Sequence, residues 1–136
     1  MDLVDIRAGL GAAAAAVTGL NGYPSAPAML AEPAFYPGET DIDYDQTYGG
    51  GVDQALVTCY LLTSFADDAD GQALLDRFLG RGATSVKAAL ERDRTLGGRC
   101  SDLRVKSVRA YRTYQYGEDT YYGAQLQVFV IGQAEE

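Results

Sequence analysis

Residues 52–65, VDQALVTCYLLTSF from Val52 to Phe65, decide the fold. It opens the longest run free of Pro and Gly, 52–70, and it is dense in Val, Leu, Tyr, Thr and Phe, types that suit a pleated and packed surface. One alternate set is Ala55, Val57, Cys59, Leu61, Thr63 and Phe65; the other is Leu56, Thr58, Tyr60, Leu62 and Ser64. Both sets are largely apolar, whereas a strand with one wet face alternates cleanly between apolar and polar. The stretch therefore predicts an inner strand covered on both sides. One face packs on helices of the same chain, and the other is available to something the chain does not itself supply.

Outward from this strand, the C-terminal part reads as a hairpin. Leu103 to Tyr116 and Thr120 to Ile131 form two long strands around a turn at Gly117-Glu118-Asp119. In the last strand Ala124, Leu126, Val128 and Val130 face the core, while Gln125 and Gln127 point away. The strand before it mixes Arg104, Lys106, Arg109 and Arg112 with Tyr111, Tyr114 and Tyr116. Arg and Tyr are enriched at protein–protein contacts. Basic and aromatic interleaving also suits nucleic acid, but the acidity of the chain favours a protein partner. A solvated hairpin with stacked tyrosines is the plain structural reading.

Between strand and hairpin, residues 66–93 predict two short helices. Asp67 or Asp68 caps the first, which buries Leu74, Leu75, Phe78 and Leu79 and ends at Gly80. Thr84 or Ser85 caps the second, whose apolar face is Val86, Ala89 and Leu90. Two motifs here fail on inspection. Asp68, Asp70 and Gly71 imitate a calcium loop, but its first and twelfth positions would be Ala66 and Arg77. Gly80-Arg81-Gly82 follows a helix rather than a strand and lacks the third glycine of a dinucleotide loop.

Upstream, Leu3, Ile6, Leu10, Ala13, Ala14 and Val17 recur at helical spacing, with Asp2 and Asp5 in the first turn. The expected N-terminal helix occupies residues 1–22, ended by Gly19 and Asn21-Gly22. Its narrow, Ala-rich face predicts close packing on a sheet. All four prolines fall within Pro24–Pro37, and they bound a short edge strand expected over Ala28–Glu32. The segment GETDIDYDQT then alternates: Glu39, Asp41, Asp43 and Asp45 share one face if extended, with Thr40, Ile42 and Tyr44 on the other. The acid row is a solvated face or half of a salt-bridged contact before it is a cation site. Tyr48 and Gly49-Gly50-Gly51 turn into the central strand, and no lysine follows the glycines as a phosphate loop demands.

Composition narrows the function. The 136 residues fit one domain, 1–136, with a core that needs no staples and with Ala134-Glu135-Glu136 as a loose tail. A net charge of −8 argues against a protein that binds a nucleic-acid backbone. Histidine is absent, which removes Ser-His-Asp and Cys-His catalysis and the usual zinc sites. Cys59 and Cys100 are read as reduced thiols, although a disulfide between them stays open. Two aspartates precede the first apolar segment, where a signal peptide needs positive charge, and the segment is too short to span a bilayer. The expectation is a soluble, intracellular α+β domain in the order α–β–β–β–α–α–β–β. Its sheet is small, mixed or mostly antiparallel, with the helices mainly on one face.

The run DIDYDQTYGGGVD (41–53), the central strand, ADDADGQALLDRFL (66–79), SVKAALERDRTLGG (85–98) and DLRVKSVRAYRTY (102–114) resemble tail terminator (tail completion) proteins of long-tailed phages, especially those of high-GC hosts. The resemblance is a pattern over most of the chain from Asp41 onward, not a catalytic signature. It implies a small α+β subunit of the virion that assembles as a hexameric ring on the last ring of the tail tube. The ring stops polymerisation and offers a surface to the head-side connector. It implies no catalytic residue, cofactor, metal or membrane. DNA passes through the lumen unread, and an acidic subunit suits such a channel. Two contact surfaces follow as expectations: the acid row Asp41, Asp43 and Asp45, and the hairpin residues Arg104, Arg109, Arg112, Tyr114 and Tyr116, meeting across a subunit boundary. The alternatives are a head-side neck (stopper) protein, a small-molecule binding module lined by the tyrosines, and an acid-catalysed enzyme using a pair such as Asp43 and Asp45.

Overall fold

The computed structural model describes residues 2–44, 52–65 and 68–133. The expected Asp67 cap, the turn over Tyr48 and Gly49–Gly51, Asp45 of the acid row and the tail Ala134–Glu136 lie outside the described residues. The elements run α1 (Leu3–Ala15), β1 (Asn21–Gly22), β2 (Ala34–Asp43), β3 (Val52–Ser64), α2 (Asp68–Leu79), α3 (Val86–Glu91), β4 (Asp102–Tyr116) and β5 (Asp119–Gln133). The fold is α+β, with one five-stranded mixed sheet ordered β1-β2-β3-β5-β4. All its pairings are antiparallel except β1 with β2.

The central position of β3 follows from its two apolar faces. It pairs with β2 on one side and with β5 along its whole length on the other, from Val52↔Gln133 to Ser64↔Tyr121. Ala55, Val57, Cys59, Leu61 and Thr63 are buried on one face. Opposite them on β5 stand Val130, Val128, Leu126, Ala124 and Tyr122. This face packs against Ile6, Leu10 and Ala14 of α1, Leu75 and Phe78 of α2, and Val86 and Leu90 of α3 in a single core cluster. It is called the helix face below. Thr63 Oγ1 donates to the Gly71 carbonyl at 2.8 Å and fastens β3 to α2.

The helix caps follow from local chemistry. Asp2 is the N-cap of α1, its carboxylate accepting from the Val4 N–H at 2.9 Å. Ser85, rather than Thr84, caps α3, accepting from the Ala88 N–H at 3.1 Å. Gly117, at φ 63°, opens the two-residue turn of the β4–β5 hairpin, the position where such a turn places glycine.

Two expectations near the N-terminus are corrected. The helix ends at Ala15, not at residue 22: the chain turns through Val17 and Gly19 (φ 82°), and Asn21–Gly22 becomes the edge strand β1. No strand forms over residues 28–32. The next strand starts directly after Pro33, at Ala34, and runs through Pro37; it begins earlier than the alternation suggests and pairs in parallel with β1 through Asn21↔Ala34 and Gly22↔Phe35. The reason is a close approach. A Cβ on Gly22 would lie 2.0 Å from the Gly11 carbonyl oxygen, and one on Gly11 would lie 2.7 Å from the Tyr23 carbonyl oxygen. Only a glycine pair lets α1 sit this close to β1. The intervening residues, 24–33, instead cross the opposite face of the sheet, where Leu30 packs against the tyrosines.

Candidate functional site

The second face of the sheet, the open face, carries no helix among the described residues. At its upper end Tyr36, Leu62 and Tyr121 are buried, with Tyr23, Tyr60, Tyr114 and Tyr116 packed around them. Tyr36 stacks on Tyr60 at 5.2 Å between ring centroids, Tyr116 meets Tyr36 edge-on at 5.8 Å, and Tyr114 meets Tyr60 edge-on at 6.0 Å. The Tyr116 hydroxyl donates to the Pro27 carbonyl and the Tyr23 hydroxyl accepts from the Ala31 N–H, which pins residues 24–33 over the cluster. Burial, reinforced by Tyr116 and Glu39, pushes the Tyr36 hydroxyl up to about 12. Burial also raises Tyr60, and its hydroxyl donates to Glu39 at 2.5 Å, which raises it further. Both hydroxyls therefore stay protonated at physiological pH, and that of Tyr60 serves as a hydrogen-bond donor to Glu39.

Below the tyrosines the open face is half apolar. Leu56 of β3 stands opposite Phe129 of β5, and Gln54 opposite Ile131, while Thr58 bonds Gln127 at 3.3 Å. A cleft of about 340 Å³ opens here beside Arg104, Lys106, Phe129 and Ile131, with the Lys106 ammonium 4.6 Å from the centre of the Phe129 ring.

The predicted contact residues sit on the two margins of this face. On β2, Asp41 lies opposite Leu56 and Asp43 opposite Gln54; both are exposed, and Thr40 and Ile42 turn to the helix face. On β4, Arg104 lies opposite Phe129, Arg109 opposite Gln125, Arg112 opposite Gly123, Tyr114 opposite Tyr121 and Tyr116 opposite Asp119. All five therefore share the open face with Asp41 and Asp43. Simple alternation does not give this result, because Arg109 lies an odd number of residues from both Arg104 and Arg112. Two bulges, at Val105/Ser107 and Arg109/Arg112, each insert an extra residue and restore the parity. The second contains Ala110 at φ 52°, and it frees Tyr111 to donate to Asp76 of α2 at 2.6 Å. Tyr111 therefore serves the fold rather than the open face, while the Tyr114 hydroxyl donates back to the Ala110 carbonyl at 2.6 Å.

Sequence reasoning gave no role to Lys87, Glu91 and Arg94, which line the lower part of the β4 edge. Glu91 accepts from the Val105 N–H at 2.8 Å and from Lys87 at 2.7 Å, and Lys87 reaches the Val105 carbonyl at 3.4 Å. Arg94 pairs with Asp102 at 2.8 and 3.1 Å and donates to the Leu103 carbonyl. Only the Lys87–Glu91 spacing of four signalled any of this. Burial opposes the charge of Glu91, but the bonds from Lys87 and Val105 prevail and hold its carboxyl below the usual range.

Cys59 and Cys100 are buried free thiols, and burial raises both. Among the described residues no group of three acidic, Cys or His side chains could hold a metal ion, and no helix is long and apolar enough to cross a membrane. No protein-family model matches the chain, and no curated protein is similar to it at a significant level.

Proposed function

We propose that the chain is a ring-forming tail terminator of a long-tailed phage, a structural virion protein that caps the tail tube, ends its polymerisation and provides the joint to the head-side connector. The observation that carries this reading is the one-sided sheet. Three helices cover one face, and the other presents a half-apolar strip between an acidic and a basic margin. Apolar surface left in water favours burial against a partner, and a heterologous contact repeated by rotation closes into a ring. The resemblance of residues 41–114 to terminators supplies the partner, the last ring of the tail tube, and the expected hexamer. The tyrosines of the upper face spend their rings on one another, a use that favours a structural role over the small-molecule module. A chain of net charge −8 is suited to a lumen through which DNA slides without sticking.

The test is negative-stain microscopy of the purified chain, alone and mixed with the tail-tube protein of its own phage. Sixfold rings, or tubes that are shortened and capped at one end, are the expected outcome. A chain that neither caps nor shortens tubes but binds portal or adaptor would be a neck protein, and the terminator reading would fall.

A further inference from the structure

The two margins of the open face belong to the free edges of the sheet, and they carry opposite charge. Among the described residues β2 is covered only by β1, at Ala34 and Phe35, so the rest of β2, including Asp41 and Asp43, is an edge. β4 is the opposite edge and carries Arg109 and Arg112. Three strand spacings, about 14 Å, separate the two edges, too far for the charges to pair within one chain. No ion pair holds Asp41, Asp43, Arg109 or Arg112 among the described residues; Arg112 instead lies over the Tyr114 ring at 4.3 Å.

The spacing matches as well as the sign. Asp41 and Asp43 occupy consecutive positions on the open face of β2. Arg109 and Arg112 occupy consecutive positions on β4, because the bulge absorbs the extra residue and places them opposite Gln125 and Gly123. Each pair spans one two-residue step of a strand, about 7 Å.

We infer that a second copy of this chain docks edge to edge, its Asp41 and Asp43 against Arg109 and Arg112 of the first, displaced along the strands because Asp41 stands level with Arg104 and Arg109 level with Tyr60. The lower part of the β4 edge is closed to this contact, since Glu91, Lys87 and Arg94 already hold the main chain of Val105 and Leu103. The bulges break the remaining edge into short pieces, so side chains rather than a long hydrogen-bonded ladder carry the contact. The same bulges guard the edge against indiscriminate strand pairing. Like charge disfavours edge contacts of β2 with β2 and of β4 with β4, so edge-to-edge docking takes the head-to-tail arrangement that builds rings or filaments. This deepens the ring reading and rests on it only for closure, so it is testable with no tail component present.

The experiment compares the natural chain with two exposed double variants, Asp41→Arg/Asp43→Arg and Arg109→Asp/Arg112→Asp, by sedimentation at low salt, with circular dichroism as the check on folding. The natural chain is expected to self-associate, and less so as salt rises. Each variant alone should associate at least roughly tenfold more weakly, because it presents the same charge on both edges. An equimolar mixture should recover the natural behaviour, since the two variants then alternate with opposite edges in contact. A natural chain that stays monomeric at millimolar concentration, variants that associate as it does, or a mixture that stays dissociated would each overturn the inference. Self-association of the expected kind without tube capping would keep this contact and sink the tail-terminator function. Tube capping that survives both variants would do the reverse.

Discussion

At the level of single residues, Glu91 does most to fix the margin of the sheet. Its carboxylate binds the Val105 N–H at 2.8 Å and Lys87 at 2.7 Å, so one side chain joins α3 to an edge strand that would otherwise leave a donor exposed. Removing it with Glu91→Ala should cost about 1.5–3 kcal/mol in urea unfolding, the range for a hydrogen bond to a charged group. The pH dependence has a definite sign. Despite burial, Lys87 and Val105 hold the folded carboxyl below its unfolded value. Its contribution is therefore full above the unfolded carboxylate value and is lost as pH falls through the folded one. Urea midpoints of the natural chain and Glu91→Gln should differ at neutral pH and converge on acidification; a gap that stays constant would show that the charge is irrelevant. Ala110 is the converse case. At φ 52° it occupies a left-handed position that costs an alanine about 1 kcal/mol, within a bulge that suits glycine. Ala110→Gly should raise the unfolding free energy by about 0.5–1 kcal/mol and leave the Tyr111–Asp76 bond in place.

The elements differ in how far the sequence exposed them, and the difference has physical causes. β3, the hairpin and the helix pair were legible because each is long and sorts its own apolar residues by local period, as with Ala55, Val57, Cys59 and Leu61 against Leu75 and Phe78. β1 was not. It has two residues, no period, and a parallel partner beyond the proline segment, so its existence depends on the fit of Gly22 beneath Gly11 and not on propensity. That dependence is testable. Gly22→Ala would drive a Cβ to 2.0 Å from the Gly11 carbonyl oxygen, where main chain on both sides must move. A loss of about 2–4 kcal/mol in thermal or urea unfolding is expected, well beyond what helix or strand propensity explains. The candidate contact surface was half legible. The acids of β2 alternate and so announce a common face. The arginines of β4 do not, since their spacing scatters them over both faces until two bulges bring them into line. Nothing in Val105–Ser107 or Arg109–Arg112 marks a bulge, because an alanine stands where glycine would have signalled one.

Across the whole molecule the sheet divides its work between its faces, and β5 carries both tasks on alternate residues. Leu126 is buried on the helix face among the core side chains, whereas Phe129 lies half-buried on the open face beneath Lys106. If the open face is the assembly surface, substitutions three residues apart on one strand should have opposite effects. Leu126→Ala removes packing that no relaxation of a three-sided helix cover restores, and it should cost about 2–5 kcal/mol of stability. The fraction that remains folded should still cap tail tubes, because nothing on the open face has changed. Phe129→Ser gives up only partial burial and a cation–π contact, about 1 kcal/mol. It also puts a hydroxyl in the apolar strip between the charged margins, and so should weaken capping while leaving the unfolding midpoint close to that of the natural chain. Thermal unfolding and tube-length distributions measured on the same two preparations decide the matter. Stability and capping falling together in both variants would mean that the open face is only exposed core. A split, with Leu126→Ala unstable but active and Phe129→Ser stable but inactive, would assign assembly to that face.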